Sequence, residues 1–124
     1  MFTVLSFGHD RYRLLSRHKV LVAAGFRVNS RDNRDDVLRL LKSHRFHVVV
    51  IGHLVPMEDR NEVARQGKFL QNARVIFLYR DRIAGAELAD AVLTVDGSPE
   101  DLNSTVLRLA RGNIEDADWS TNVV

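Results

Sequence analysis

The sequence contains no cysteine, which excludes both a disulfide framework and a thiolate metal site. A chain without cysteine suits a reducing compartment, and we expect a cytoplasmic protein. The chain has only two prolines among its 124 residues, and no apolar run approaches the roughly 18 residues that a membrane-spanning helix needs. The first residues also lack a basic segment followed by an apolar one, so no signal peptide and no membrane association are expected.

The small net charge of +2 conceals a gradient along the chain. Residues 1–45 carry ten Lys and Arg against four Asp and Glu, whereas residues 81–124 carry three against nine. Such a gradient can steer partners or favour head-to-tail association, so a homodimer is an open alternative. The basic residues of the first third are interleaved with acidic ones, without an evident recognition helix or aromatic stacking platform. Nucleic-acid binding is therefore not expected.

Five short apolar segments alternate with helical patterns. Strands are predicted at residues 3–7, 26–30, 47–52, 73–79 and 91–95, and helices over 11–24, from 33 onward, over 59–70 and over 98–112. Asp10, Asn33 and Ser98 are the predicted N-caps of three of these helices. The continuous β-branched run near residue 50 is typical of a central parallel strand covered on both faces. The alternation predicts an open parallel α/β sheet with right-handed crossovers.

Two segments depart from this regular pattern. Residues 81–89 can hold at most two helical turns, and Gly85 weakens even those. The last helix is predicted to end at Gly112, which leaves a domain over residues 1–112 and a polar tail over residues 113–124. Trp119 in that tail either docks on a partner or packs back on the domain.

Three stretches resemble the receiver domains of two-component response regulators, and together the resemblance covers about residues 2–112. ADAVLTVDGSPEDL (89–102) is similar to the family's G-A-D-x-Y-L-x-K-P-x-x-P-E-E-L, and VVVIGHLVPMED (48–59) is similar to its strand, phosphoacceptor and M-P-x-M-D turn. VLSFGHD (4–10) is similar to the opening strand with its acidic pair. The resemblance implies a flavodoxin-like five-stranded parallel sheet of order 2-1-3-4-5, with helices on both faces. The fourth helix of the family is expected to be shortened, because the segment before Ala89 is too short for it.

The resemblance also implies where phosphoryl chemistry should lie, and each of those positions is altered. In receivers two acidic residues and an acceptor aspartate hold Mg²⁺, while a hydroxyl and a lysine hold the phosphoryl oxygens. Here the acidic pair falls on Gly8 and His9 with Asp10 one place later, the acceptor on Gly52, the hydroxyl on Tyr79 and the lysine on Val95. The aromatic residue of the family switch falls on Val92. Asp10 and Asp59 cannot hold Mg²⁺ well without a carboxylate between them, so we expect no phosphoryl transfer and no enzyme.

The expected function is a stand-alone degenerate receiver-like signalling domain in a bacterial two-component phosphorelay. It would be a phosphorylation-independent protein-interaction module that needs no cofactor, and the sequence does not identify its protein partner. The alternative is a small-ligand or metal sensor that uses the altered pocket at the C-terminal ends of the strands. His9, Asp10 and His53 could offer two imidazoles and a carboxylate to Zn²⁺ or Ni²⁺. His53 and Arg80 could hold an anion, whereas His18, His44 and His47 are expected to be structural or solvated.

Overall fold

The computed structural model describes the backbone of residues 1–123 and the side chains of residues 1–112. The strands are β1 (Thr3–Phe7), β2 (Arg27–Arg31), β3 (Val48–Ile51), β4 (Arg74–Tyr79) and β5 (Ala91–Thr94). The helices are α1 (Arg11–Ala23), α2 (Arg34–Ser43), α3 (Met57–Gln71) and α4 (Pro99–Val123). Every strand pairing is parallel, and the sheet order is β2-β1-β3-β4-β5. The predicted open flavodoxin-like sheet is confirmed.

An apolar core lies on each face of the sheet. Val49 and Ile51 of β3 belong to the core that includes side chains of α2 and α3. Val48 and Val50 belong to the opposite core, with side chains of α1 and α4. All four residues of β3 have no exposed surface, as the β-branched run predicts for a strand covered on both sides.

The N-caps of the helices lie where the sequence places them. Asp10 Oδ1 accepts hydrogen bonds from the backbone N–H groups of Tyr12 and Arg13 at 3.0 and 3.2 Å, and Asn33 caps α2 in the same way. These bonds satisfy amides that no helical carbonyl can reach. None of the described helices is both long and apolar enough to cross a membrane.

The last helix is longer than the sequence predicts. It begins after Ser98, whose Oγ accepts a hydrogen bond from the Asp101 N–H at 3.2 Å, but it continues to Val123. The predicted end at Gly112 is therefore wrong. A glycine need not end a helix, and a Cβ at this position would meet no atom within 4 Å. The side chain of Trp119 lies outside the described residues, so its predicted docking role stays a prediction.

Residues 80–90, which connect β4 to β5, contain no helix. The predicted shortening of the family's fourth helix is therefore confirmed, and the helix is absent from this segment. An arginine from α3 holds this loop against the sheet. The Arg60 guanidinium lies 4.3 Å from the centroid of the Phe77 ring, and its Nη2 donates to the carbonyls of Ala84 and Gly85 at 2.8 and 2.9 Å. One planar cation thus satisfies the loop backbone and covers an aromatic face of the sheet.

The far end of the same loop is anchored by Asp90. Its Oδ2 accepts hydrogen bonds from the Val75 N–H and from Lys68 Nζ, both at 2.7 Å. Four partly buried apolar side chains of the loop pack onto the core of this face: Ile83, Ala86, Leu88 and Ala89. The loop covers the sheet less completely than a helix would, and Val92 of β5 remains 42% exposed.

His47 joins the beginning of β3 to the beginning of β1. Its Nδ1 accepts a hydrogen bond from the Thr3 N–H at 3.1 Å, so this nitrogen carries no proton. Burial lowers the pKa of His47, and the charges of the N-terminus and Arg45 lower it further. The prediction that this histidine is structural agrees with these contacts.

We expect the free energy of unfolding to fall as the pH drops through about 6.5, the ordinary histidine pKa. The unfolded chain takes up a proton on His47 at that pH, whereas the folded chain resists it until a lower pH, so stability present above the unfolded pKa is lost below it. Denaturant unfolding at a series of pH values from about 8 to about 5 measures the slope.

The matched variants are His47→Gln and His44→Gln. His47→Gln should show a smaller pH dependence than His44→Gln, which makes the same change at an exposed histidine. The lowered pKa of His53 adds a dependence of the same sign. Equal slopes in the two variants would contradict the role given to His47.

Candidate functional site

The loops that follow β1 and β3 meet at the carboxyl edge of the sheet, where ligands bind in open α/β folds. Gly8 and Gly52 stand side by side there. A Cβ added to Gly52 would lie 3.4 Å from the Gly8 Cα, and the Gly52 N–H donates to the Phe7 carbonyl at 2.8 Å. Two glycines therefore bring the two loops into direct backbone contact.

Five of the predicted site residues line one small cleft at this point: Gly8, His9, Asp10, Gly52 and His53. Arg13, Arg17 and Leu54 complete its lining. The cleft encloses about 10 Å³, roughly the space of a single water molecule. The alternative of a small-ligand sensor therefore has no room at this position.

Arg17 is the residue that the sequence analysis missed. Its Nε donates to Ser6 Oγ at 3.0 Å and its Nη2 approaches the Phe7 carbonyl at 3.5 Å. A Cβ at Gly8 would lie 2.8 Å from Arg17 Nη2, and a Cβ at Gly52 would lie 3.3 Å from it. The guanidinium thus occupies the space into which side chains at positions 8 and 52 would project.

This placement reverses the electrostatics that the receiver resemblance implies. Where a receiver concentrates carboxylates to bind Mg²⁺, this chain has a half-buried cation, with Arg13 on the same cleft. Burial lowers the pKa of Arg17 to about 10, and repulsion from Arg13 adds to the effect while Asp10 opposes it. A guanidinium with that pKa is still charged at neutral pH, so the cleft repels a divalent cation.

The carboxylates that remain nearby are already engaged. Asp10 caps α1 with Oδ1, and its Oδ2 lies 3.7 Å from Arg13 Nε. Asp59 pairs with Arg34 Nη1 at 3.2 Å, which ties α3 to α2. Neither side chain is free to serve as the metal ligand that its position in a receiver would suggest.

The histidines of the cleft do not form a metal site. His9 packs edge-on against the Phe7 ring, with centroids 5.5 Å apart. Across the part of the chain with described side chains, no three His, Cys, Asp or Glu residues form a group that could hold a metal ion. Burial lowers the pKa of His53, and the charges of Arg80 and Arg13 lower it further. The Arg80 charge acts on His53, so these two residues, which were predicted to hold an anion, lie near each other.

Tyr79 and Val95 lie outside the cleft. The Tyr79 carbonyl accepts a hydrogen bond from the Val95 N–H at 2.8 Å, so the two residues are neighbours at the ends of β4 and β5. Val95 lines a separate and larger cavity, which it shares with Asp10, Arg13 and Arg17. The positions that hold the hydroxyl and the lysine in receivers therefore do not line the cleft around Gly8 and Gly52.

A signal for Arg17 was present in the sequence. Leu14 and Leu21, both buried, lie three residues before and four residues after it. This spacing places Arg17 on the buried stripe of α1, where a charged side chain needs polar partners. Ser6 Oγ and the Phe7 carbonyl, at the carboxyl edge of the sheet, are those partners.

No protein-family model matches the sequence, and neither does any curated protein sequence. Solved structures do match in fold. A CheY-like response regulator receiver domain protein from Methanospirillum hungatei superimposes with a TM-score of 0.80 at 18% identity, over 94% of this chain and 98% of that one. A structure described as adenylate cyclase from Rhodopirellula baltica gives 0.83 at 14% identity, over 98% and 96%.

The BeF₃-activated DrrB receiver domain gives a TM-score of 0.76 at 26% identity, over 90% of this chain and 98% of that one. The order and direction of the five strands in this chain are those that the receiver resemblance implies. This chain has the fold of the response regulator receiver domains.

Proposed function

We propose that this protein is a signalling domain of the receiver type in which a fixed internal cation replaces the phosphorylation switch. It acts as a constitutive protein-interaction module in the cytoplasm, within two-component signalling. The observation that carries the proposal is the position of the Arg17 guanidinium, whose Nη2 lies within 2.8 and 3.3 Å of where Cβ atoms would stand on Gly8 and Gly52.

Three features of the cleft support the loss of phosphoryl transfer. Gly52 has no side chain to accept a phosphoryl group. Arg17 opposes the entry of Mg²⁺, which the reaction needs to offset the charge of the incoming group. Val95 stands where the resemblance places a lysine, and a valine cannot neutralise an acyl phosphate.

Two further features support a single signalling state. The cation at the site belongs to α1, so its charge does not come and go with a phosphoryl group or a metal. The loop over residues 80–90 is held by Arg60 and Asp90 instead of forming a helix that could shift. A domain without a movable input or relay is suited to presenting one constant surface to a partner.

The first test is exposure of the protein to acetyl phosphate and Mg²⁺. We expect no adduct of about 80 Da, the mass of one phosphoryl group, in the intact mass. We also expect no change in melting temperature with Mg²⁺ alone, because no described group of side chains could hold the ion. A conventional receiver domain treated in parallel should show both effects. A single stoichiometric adduct on this chain would overturn the proposal.

Gly52→Asp provides a sharper arm of the same test. A side chain at position 52 begins 3.3 Å from Arg17 Nη2, so the new carboxylate should pair with the guanidinium instead of binding Mg²⁺. We expect this variant to remain free of the adduct although an acceptor is present. Its efficient phosphorylation would show that the missing acceptor alone, and not the cation, had silenced the site.

A further inference from the structure

A cavity of about 510 Å³ lies beside the cleft, between α1 and the segment that joins β5 to α4. Its size falls within the range of about 300–1,000 Å³ that is typical of small-molecule sites. Its lining combines apolar side chains, among them Val20, Leu78 and Leu93, with the hydroxyl groups of Ser16 and Thr94. A mainly apolar wall with a few polar groups is the composition expected of a site for a small organic molecule.

Arg17 brings to this cavity a positive charge that is not held in an ion pair. Among the described residues Arg17 makes no ion pair, and its two acceptors, Ser6 Oγ and the Phe7 carbonyl, are both neutral. Its Nη1 has no hydrogen-bond partner in the same set of residues. A half-buried cation without an anionic partner is costly, and an anion that binds beside it recovers that cost.

The other charged side chains of the cavity do not cancel this cation. Arg13 and Asp10 lie 3.7 Å apart and compensate each other, and Asp10 is also held by the amides of α1. Asp101 is exposed at the beginning of α4. The lining carries two positive and two negative side chains, and Arg17 is the half-buried one of the four that makes no ion pair, so it is the group against which an anion would bind.

We propose that this cavity binds a small organic monoanion, a carboxylate carried on an apolar body. The carboxylate lies against the Arg17 guanidinium, whose planar N–H groups match its two oxygens. The apolar body packs against Val20, Leu78 and Leu93 and removes their exposed surface from water. This inference goes beyond the proposed protein-interaction function, and the two share the position of Arg17, which lines both the glycine cleft and this cavity.

Octanoate is a suitable probe, because it joins one carboxylate to an apolar chain. Its binding is followed by backbone amide chemical shifts of the ¹⁵N-labelled protein, with acetate and 1-octanol as probes that keep only the carboxylate or only the chain. We expect saturable shifts in α1 and in the β5–α4 segment, with octanoate binding at least about tenfold more tightly than either control probe. Equal binding of 1-octanol would overturn the role of the charge, and equal binding of acetate would overturn the role of the apolar body.

Two variants test the assignment within the protein. Arg17→Gln removes the charge while keeping a hydrogen-bonding side chain, and we expect octanoate affinity to fall about tenfold or more. Arg65→Gln removes an exposed arginine from α3, which does not line the cavity, and should leave the affinity unchanged. Undiminished binding by a folded Arg17→Gln protein would overturn the proposal.

Ser16→Phe keeps the proposal testable if Arg17→Gln fails to fold. Ser16 is exposed on α1 and lines the cavity, so a ring at this position fills the space without altering the charge. Ser104→Phe adds the same ring at an exposed position of α4 outside the lining. We expect the first variant to lose octanoate binding and the second to retain it, and the same affinity in both would place the ligand elsewhere.

Discussion

Arg60→Ala is expected to lower the free energy of unfolding by about 3 kcal/mol, which is large for a single substitution. The change removes two charge-assisted hydrogen bonds to the Ala84 and Gly85 carbonyls and the cation's contact with the Phe77 ring. It also leaves a space beneath the loop over residues 80–90, because the Arg60 side chain is 8% exposed. Urea unfolding measures the loss, and amide hydrogen exchange should show faster exchange within the loop.

The controls for Arg60 separate charge from shape. Arg60→Lys keeps the charge but cannot lie flat on the ring or reach two carbonyls equally well, so we expect an intermediate loss of stability. Arg65→Ala removes an exposed arginine of the same helix and should change the stability by less than about 0.5 kcal/mol. A wild-type exchange rate in the loop of Arg60→Ala would contradict the anchoring role.

Gln71→Ala is the second substitution for which we expect a large loss, of about 2–4 kcal/mol. Gln71 is buried at the end of α3. Its Oε1 accepts from the Phe46 N–H at 2.7 Å, and its Nε2 donates to the Leu41 carbonyl at 2.6 Å and to the His44 carbonyl. One amide thus satisfies the turn between α2 and β3, and alanine leaves those groups buried without partners.

Gln66→Ala is the matched control, since it makes the same change on the same helix at a half-buried position. We expect its free energy of unfolding to stay within about 0.5 kcal/mol of wild type. A similar loss in the two variants would mean that the hydrogen bonds of Gln71 do not account for the effect.

Most of the architecture follows from local patterns in the sequence. The β-branched run of β3, the caps at Asp10 and Asn33, and the alternation of strands and helices are all visible in short windows. Each depends on backbone geometry and on nearest neighbours, for which local rules are reliable. The end of α4 is the exception, because a single glycine at position 112 weakens a helix without forcing it to stop.

The sequence predicted only part of the candidate site. Aligning the strand ends predicted that Gly8, His9, Asp10, Gly52 and His53 would meet, and they do line one cleft. The alignment also placed Tyr79 and Val95 in that pocket, but they lie outside the cleft. Nor could it find the cavity next to it, because a cavity depends on how α1 and α4 pack across the sheet.

The strand order came from the resemblance to receiver domains. By itself, the sequence determined the alternation of strands and helices, the N-caps of three helices and the absence of an acceptor side chain at position 52. These features depend on residue identity and on contacts a few positions apart. Only the tertiary structure decided where two long arginine side chains end: Arg17 over the glycine pair and Arg60 beneath the loop that replaces a helix. A guanidinium reaches far from its own backbone, and its destination is set by polar groups distant in the chain that only folding brings within range.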